Sequence, residues 1–188
     1  MEAVVIAAGE GRRLRPLTEL WPKPLLPIDG NPVIATLLRD LDAAGLGPVT
    51  VVIGHLADQI RRLLDGLNVR FAEQPEPLGS ADAVRRAVDA GAQAPFVVSP
   101  ADTVYAAGAV GRFVAGWQQS GAGGATAPPL WGVGHELLPQ LDDLPGPPFE
   151  LQEAFRRAGP QVTTLEAEPI RDLTHPADVV RHNFVYLE

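Results

Sequence analysis

Apolar residues recur along this chain with two alternating spacings, and these predict strands and helices in turn. Short, continuous apolar or β-rich runs are typical of strands that are buried on both faces of a sheet. Those runs are residues 3–7, 49–53, 69–71 and 96–98. Between them, apolar side chains return every three or four residues, as one face of a helix requires. The helical stretches are residues 31–45, 56–67, 80–90 and 110–117.

Strand and helix alternate in this order only if each helix crosses over between two parallel strands. The pattern therefore predicts a doubly wound α/β fold, with a mostly parallel sheet flanked by helices on both faces. A chain of 188 residues that is 46% hydrophobic can bury a sizeable core, and we expect one domain over residues 1–188.

The second half of the chain is less regular. Its Gly, Ala and Pro content predicts a loop over residues 120–129 and a second connection over residues 139–148. The remaining elements are a helix over residues 149–158, a strand over 162–165 and a closing helix over 176–186.

Two helix starts carry residues that favour capping. Asn31 is expected to cap the helix of residues 31–45, with Pro32 at its first helical position. Ser80 is expected to cap the helix that follows it.

Charge and composition exclude several classes of partner. Fifteen basic and twenty-three acidic residues give a net charge of -8, which argues against nucleic acid and against an anionic membrane surface. There is no cysteine, so neither a disulfide nor a thiolate metal site is expected. The opening apolar run fits no signal peptide and is too short to span a bilayer, so we expect a cytoplasmic protein.

The segment Gly9-Glu10-Gly11-Arg12-Arg13 directly follows the first predicted strand. Parallel sheets bind their ligands at the carboxyl ends of the strands, and glycines there let backbone N–H groups approach an anion. The segment is not a dinucleotide fingerprint, because Leu14 stands where the third glycine would be. It also lacks the Gly-Lys-Ser/Thr of a P-loop, and by itself it predicts no more than a turn.

Over a longer stretch, however, the sequence resembles the sugar-1-phosphate nucleotidyltransferases. The matching residues are Ala8-Gly9-Glu10-Gly11-Arg12-Arg13-Leu14-Arg15-Pro16-Leu17-Thr18 and Pro22-Lys23-Pro24-Leu25-Leu26-Pro27. The resemblance implies a Rossmann-like nucleotidyltransferase fold, with a nucleotide-binding half over residues 1–105 and a shortened acceptor half over 106–188. It also implies that Ala8, Gly9 and Gly11 receive the nucleotide and that Arg13 contacts the triphosphate.

Lys23 is the only lysine in a chain that has fourteen arginines. The resemblance places it at the reacting α-phosphate. A compact ammonium suits that position because it acts as a point charge, whereas a planar guanidinium needs a wider, forked approach. Pro22 and Pro24 restrict the backbone on either side and stiffen the segment that presents the charge.

A second stretch, Gln74-Pro75-Glu76-Pro77-Leu78-Gly79-Ser80-Ala81, resembles the family segment Gln-x-x-x-x-Gly-Thr-Ala. In the family this segment faces the nucleotide base, which assigns Gln74 and Gly79 to base recognition. An amide carries a donor and an acceptor and can pair with a pyrimidine edge. We therefore favour uracil or thymine, with adenine and guanine left open.

Two aspartates match the metal-binding positions of the family. Asp102 follows the fourth predicted strand where the family has Gly-Asp, and Asp172 matches the first aspartate of Trp-x-Asp-Ile-Gly-Thr-Pro-x-Asp. The resemblance implies that both hold Mg²⁺, an ion that favours one or two carboxylates together with phosphate oxygens. Asp178 belongs to the same match, and a capping role explains it more simply.

The acceptor half departs from the family. Members normally carry a Glu-Lys-Pro motif whose lysine grips the sugar phosphate, and this chain has no second lysine. The region of residues 120–129 is also too short for the usual extra strands. Arg112, Arg171 or His175 could replace the missing cation.

The resemblance implies an enzyme that transfers a nucleoside monophosphate from an NTP, with UTP or dTTP favoured, to a sugar 1-phosphate and releases pyrophosphate. One alternative is a non-catalytic nucleotide- or sugar-nucleotide-binding module of the same fold, which the departures in the acceptor half favour. Another is a molybdopterin-type nucleotide transferase, which the Arg-Pro-Leu-Thr segment disfavours. The oligomeric state is not indicated.

Overall fold

The first apolar run of the chain forms the centre of the sheet. A computed structural model describes residues 1–142 and 144–183. Its strands are β1 (Glu2–Ala7), β2 (Pro27–Ile28), β3 (Asn31–Pro32), β4 (Val49–Ile53), β5 (Val69–Glu73), β6 (Phe96–Pro100), β7 (Thr103–Tyr105), β8 (Gly124–Ala127), β9 (Leu130–Val133), β10 (Val162–Thr164) and β11 (Ile170–Asp172). Its helices are α1 (Leu17–Leu20), α2 (Val33–Ala43), α3 (Ala57–Leu63), α4 (Ser80–Asp89), α5 (Ala109–Ser120), α6 (Leu151–Ala158) and α7 (Pro176–Arg181). Short 3₁₀ segments cover Arg12–Leu14, Lys23–Leu25, His135–Leu141 and Gly159–Gln161.

The main sheet of the described chain has the strand order β10-β8-β9-β6-β1-β4-β5. Pairs β1–β4, β1–β6, β4–β5 and β8–β10 are parallel, and β9 runs antiparallel to both of its neighbours. The predicted α/β fold with a mostly parallel sheet is confirmed. The chain winds from β1 to β4 and β5 on one side and returns to β6 on the other, so the order reverses between β1 and β6.

Both faces of the sheet are buried, as the uniform apolar runs predict. In β1 the side chains alternate between two cores, with Ala3, Val5 and Ala7 in one and Val4 in the other. The first core takes apolar side chains from α2, α3 and α5, and the second takes them from α4 and α6. Because neither face of the central strands meets water, β1, β4 and β6 have nearly continuous apolar sequences.

The loop predicted for residues 120–129 is wrong, because β8 forms there and β9 follows it. The glycines in these strands serve close packing. A Cβ on Gly124 would lie 2.1 Å from Cδ1 of Leu137, and one on Gly132 would lie 2.4 Å from the ring of Trp117. Glycine is thus required where another side chain crosses the strand, a need that local sequence does not distinguish from a loop.

Both predicted caps are also wrong. Asn31 lies in β3, its side chain donates to the carbonyl of Asp29, and α2 begins after Pro32 without a side-chain cap. Ser80 is the first residue of α4. Its hydroxyl accepts the backbone N–H of Leu151 at 2.8 Å, so it serves the start of α6, which is distant in sequence.

A short antiparallel ribbon of β7 and β11 stands beside the main sheet, with Asp172 opposite Thr103. The predicted closing helix is confirmed over Pro176–Arg181, and its last residues, 184–186, lie outside the described residues. None of the helices in the described ranges has the length and apolar character needed to cross a membrane.

Candidate functional site

The candidate residues follow the carboxyl ends of four neighbouring parallel strands. Asp102 follows β6, Gly9 follows β1, His55 follows β4 and Gln74 follows β5, in the order in which these strands lie in the sheet. The edge between β6 and β1 is where the strand order reverses. That is the position at which open α/β sheets form a binding crevice.

A cavity of about 310 Å³ opens at this reversal point. It is lined by five of the sequence-predicted site residues: Gly9, Gly11, Arg13, Lys23 and Asp102. The other four predicted residues, Ala8, Gln74, Gly79 and Asp172, do not line it. Thr174 does, although sequence reasoning assigned it no role. The only signal was that Thr174 stands where the family pattern has glycine.

Gly11 has the backbone conformation that glycine adopts most readily. Its φ is +62°, and a Cβ would lie 2.9 Å from Cγ2 of Thr18 and 3.3 Å from Cβ of Lys23. The loop is therefore packed directly against the lysine segment. Gly9, by contrast, is exposed, and a Cβ added there would have no other group within 4 Å, so its backbone faces open space.

We expect Gly11→Ala to destabilise the protein by about 1–2 kcal/mol, because alanine is strained at positive φ and would also collide with Thr18. Gly9→Ala is the matched control, since its position is open and its φ is not positive. Its effect should stay within about 0.5 kcal/mol. Thermal unfolding of both variants measures the difference, and equal midpoints would contradict the packing described for Gly11.

Lys23 and Asp102 form an ion pair across the cavity, although they are far apart in sequence. The Lys23 side chain is 16% exposed and that of Asp102 is 21% exposed, so both charges are largely shielded from water while they face the cavity. Lys23 is the first residue of the 3₁₀ turn Lys23–Leu25 and stands between Pro22 and Pro24, both of which are buried. The turn thus fixes the backbone from which the ammonium extends.

The arginines of the loop between β1 and α1 differ in their partners. Nε of Arg12 donates to Glu10 at 2.7 Å, and Arg15 lies 3.6 Å from the same carboxylate. The hydrogen bond from Arg12 lowers the pKa of Glu10. Arg13 makes no ion pair or side-chain hydrogen bond with any other described residue. It lines the cavity and is exposed, so its guanidinium is available to an anion there.

Asp172 reaches the cavity edge through Thr174. It lies opposite Thr103, next in sequence to Asp102, and its Oδ2 accepts the Thr174 hydroxyl at 2.7 Å. The turn after it is held by Asp178, which accepts backbone N–H groups from His175 at 2.6 Å and Thr174 at 3.0 Å. These bonds, that from His175 first, lower the pKa of Asp178 and keep it ionised as a cap.

A hydrogen bond between two buried hydroxyl groups stabilises the turn that carries Asp102. The oxygens of Ser99 in β6 and Tyr105 in β7 lie 2.8 Å apart and share a hydrogen bond. Burial raises the pKa of the Tyr105 phenol well above its usual value, so it stays neutral. The bond joins the strand before Asp102 to the strand after it, and this limits the movement of the carboxylate.

The loop from Gln74 to Gly79 is closed by its own hydrogen bonds. Nε2 of Gln74 donates to the Gly79 carbonyl at 2.9 Å and to Asp82 at 2.8 Å. A Cβ on Gly79 would lie 2.3 Å from the carbonyl oxygen of Phe149, whose backbone also bonds Leu78 and Ala81 on either side. Gln74 is buried, and both hydrogens of its amide are engaged within the protein.

Two of the cations considered for the acceptor half are paired with carboxylates. Arg112 forms two bonds of 2.6 Å with Glu168, and this pair lines a separate cavity of about 400 Å³. Arg171 pairs with Asp29. The third candidate, His175, is exposed and lies between Thr174 and the first residue of α7. Of the three, His175 is therefore nearest in sequence to a cavity-lining residue.

No cluster of three or more histidine, aspartate and glutamate side chains that could hold a metal occurs among residues 1–142 and 144–183. Of the two predicted metal ligands, Asp102 lines the cavity, and Asp172 lies opposite Thr103, the residue after Asp102. Two carboxylates are sufficient for Mg²⁺ when water or phosphate oxygens complete its six positions.

Most of the chain matches a known protein family. The model of the family described as the MobA-like NTP transferase domain matches residues 3–161. The nucleotidyltransferase Agl11 of low-salt glycan biosynthesis, from Haloferax volcanii, is 34% identical over 116 residues, which are 58% of this chain and 32% of that protein. The N-acetylmuramate alpha-1-phosphate uridylyltransferase of Neisseria meningitidis is 37% identical over 110 residues, 55% of this chain and 48% of that protein.

The chain thus spans between about a third and a half of the length of these curated relatives. Among solved structures, the UDP-glucose pyrophosphorylase from Acinetobacter baumanii superimposes with a TM-score of 0.81 at 15% identity, over 98% of this chain and 92% of the other. At that identity the likeness concerns the fold alone, and it confirms the fold predicted from the strand and helix pattern.

Proposed function

The chain belongs to the family of MobA-like NTP transferase domains, and we propose that it transfers a nucleoside monophosphate from an NTP to a sugar 1-phosphate. One observation carries the proposal: the only lysine of the chain extends into the cavity at the reversal point of the sheet and pairs there with Asp102. A nucleotidyl transfer needs a compact cation and a carboxylate at one place beside a phosphate-binding loop.

The reaction joins an oxygen of the sugar phosphate to the α-phosphorus of the NTP and breaks the bond between that phosphorus and the bridging oxygen to the β-phosphate. Pyrophosphate leaves with the bonding electrons. The attacking phosphate oxygen is already ionised near neutral pH, so the step requires no protein base. Lys23 is the proposed stabiliser of the charge that develops on the α-phosphoryl oxygens.

The backbone at Ala8, Gly9 and Gly11 and the guanidinium of Arg13 are the proposed triphosphate contacts. The open surroundings of Gly9 support this, because they allow an anion to approach the main chain closely. Arg13 supports it as the loop arginine that has no carboxylate partner in the described part of the chain. A triphosphate would supply that partner.

Asp102 and Asp172 are the proposed ligands of Mg²⁺; both are carboxylates, the donors that this ion favours, and Asp172 pairs with Thr103, the residue after Asp102. When bound, the ion would neutralise phosphate charge and orient the triphosphate. Lys23 pairs with the carboxylate of Asp102 in the ligand-free protein. When Mg²⁺ binds, this ion pair must break, or the carboxylate must contact both cations.

UTP or dTTP is the proposed nucleotide, with the base placed against the loop of Gln74 and Gly79. Both amide hydrogens of Gln74 are already donated within the protein, so its Oε1 would be the group that meets the base unless the loop rearranges. An acceptor of this kind pairs with the N3–H of uracil or thymine. NTPs and sugar phosphates are cytoplasmic metabolites, and the proposal places the protein in that compartment.

The decisive experiment measures pyrophosphate release from each of the four NTPs and dTTP against a panel of sugar 1-phosphates, with Mg²⁺ present. We expect release with UTP or dTTP and one sugar phosphate, and none when Mg²⁺ is chelated. Release with molybdopterin as the acceptor would move the assignment to the alternative transferase class. Silence with every pair would contradict the proposed activity.

A non-catalytic binding module is the second candidate, and a specific observation favours it. Arg112 and Arg171, two cations that could hold an acceptor phosphate, are both paired with carboxylates. For such a module we expect NTP or sugar-nucleotide binding by calorimetry without any pyrophosphate release. Calorimetry on the same samples as the release assay separates the two candidates.

A further inference from the structure

We propose that His55 is a positioning residue for Lys23 and for the loop of residues 9–17, which we call the phosphate loop. The effect of this positioning on nucleotide binding rests on the proposed function. His55 is not part of the two motifs that indicate the family. It follows β4, the strand that lies beside β1 on the side away from Asp102. From there it contacts the backbone before and after the phosphate loop.

The two contacts of His55 bracket the loop. Its backbone N–H donates to the carbonyl of Ala8 at 3.2 Å, and its ring Nε2 lies 2.8 Å from the carbonyl oxygen of Thr18. A carbonyl oxygen can only accept, so Nε2 carries the hydrogen and donates it. The segment between Ala8 and Thr18, which contains Gly9 and Gly11, is thereby held at both ends by one residue.

Thr18 passes this constraint to the loop. Its side chain is buried, and its hydroxyl donates to the carbonyl of Gly11 at 2.9 Å. The same carbonyl accepts the backbone N–H of Leu14 at 2.8 Å. The methyl group of Thr18 and Cβ of Lys23 are both packed against Cα of Gly11. A shift of Thr18 therefore displaces the loop and the lysine segment together.

Helix α1 has few other means of staying in place. It has only four residues, too few for a stable helix by itself, and Thr18 is its one buried residue. Leu20 is 72% exposed and the following Trp21 is 56% exposed, so apolar burial contributes little to holding it. Polar contacts hold it instead: His55 binds the carbonyl of Thr18 at the end near the loop, and Gln59 donates to the carbonyl of Leu20, the last residue of α1, at 2.9 Å.

The test uses replacements that differ in where they place a donor. His55→Gln puts an amide N–H near the position of Nε2, His55→Asn puts it near Nδ1, and His55→Leu has none. Gln59→Met is the matched control, because it removes a donor to the far end of the same helix and leaves the His55–Thr18 bond intact.

Two readouts are followed in each variant: amide hydrogen exchange at Leu14 in the ligand-free protein, and the dissociation constant of UTP with Mg²⁺. For His55→Leu and His55→Asn we expect about tenfold faster exchange at Leu14 and about tenfold weaker UTP binding, as the loss of one buried hydrogen bond predicts. His55→Gln should restore both to within about threefold, and Gln59→Met should leave Leu14 within about twofold of the unsubstituted protein.

Equal exchange at Leu14 in His55→Leu and the unsubstituted protein would overturn the proposal. Exchange at Leu14 that is as fast in His55→Gln as in His55→Asn would also overturn it. If His55→Leu does not fold, the comparison of glutamine with asparagine decides by itself. If no variant binds UTP, the proposed function fails, while exchange at Leu14 still decides whether His55 holds the loop.

Discussion

We expect Lys23→Ala to lower the rate of pyrophosphate release by about two to four orders of magnitude, the effect of removing a preorganised cation from a phosphoryl transition state. Binding of the NTP should weaken far less, because the other proposed triphosphate contacts, Arg13 and the loop backbone, still line the cavity. The loss should therefore fall on kcat, since the proposed role of the lysine is to stabilise charge that develops during the transfer. Steady-state kinetics and calorimetric titration of UTP measure the two effects separately.

Three controls sharpen this result. Lys23→Met removes the charge but keeps most of the apolar stem, and it should be as slow as the alanine variant. Lys23→Arg restores the charge in a wider, planar group and should recover only part of the rate. Arg62→Ala removes a positive charge from an exposed position on α3 and tests for a general effect of net charge. A normal rate in Lys23→Met would exclude the lysine from the chemistry.

The fold of the central strands could be predicted from sequence, because burial on both faces leaves an unmistakable apolar run. Val49–Ile53 was predicted with its observed bounds, and the parallel order followed from the helices between the strands. The acceptor half could not be predicted in the same way. In β8 and β9 the decisive contacts are made by Leu137 and Trp117, which lie outside these strands in sequence and fill the space over glycines.

The predictions of helix caps failed for a related reason. Ser80 has the hydroxyl that favours a helix start, and it does serve one, but the helix is α6 and not its own. Local sequence shows that a donor or acceptor is present and not which distant group it meets. The family assignment was confirmed because it depended on a long ordered set of residues. The cavity brings four of them, Gly9, Gly11, Arg13 and Lys23, together with Asp102, which lies far along the chain.

The second large effect is expected for Asp102→Asn, which should lower pyrophosphate release by about two to three orders of magnitude. The substitution keeps the shape of the side chain and removes its charge, so Lys23 loses its partner and the proposed metal site loses one of two carboxylates. Asp142→Asn is the matched control, since Asp142 pairs with Arg85 on the surface, away from the cavity. Asp142→Asn should leave pyrophosphate release unchanged, and it should alter the free energy of unfolding by no more than about 0.5 kcal/mol.

The Lys23–Asp102 pair also predicts that one substitution strengthens binding of a divalent cation. If the ammonium and a divalent cation share the same carboxylate, Lys23→Met should bind Mn²⁺ more tightly than the unsubstituted protein in the absence of nucleotide, by about tenfold. Arg13→Met removes a cavity charge that does not touch Asp102, and it should gain much less. Electron paramagnetic resonance of free Mn²⁺ gives both affinities. Asp102→Asn combined with Lys23→Met should abolish the gain, because the carboxylate that Lys23 pairs with is then absent. A gain that survives the double substitution would mean that the ion binds elsewhere, and Asp102 would then stabilise the lysine alone.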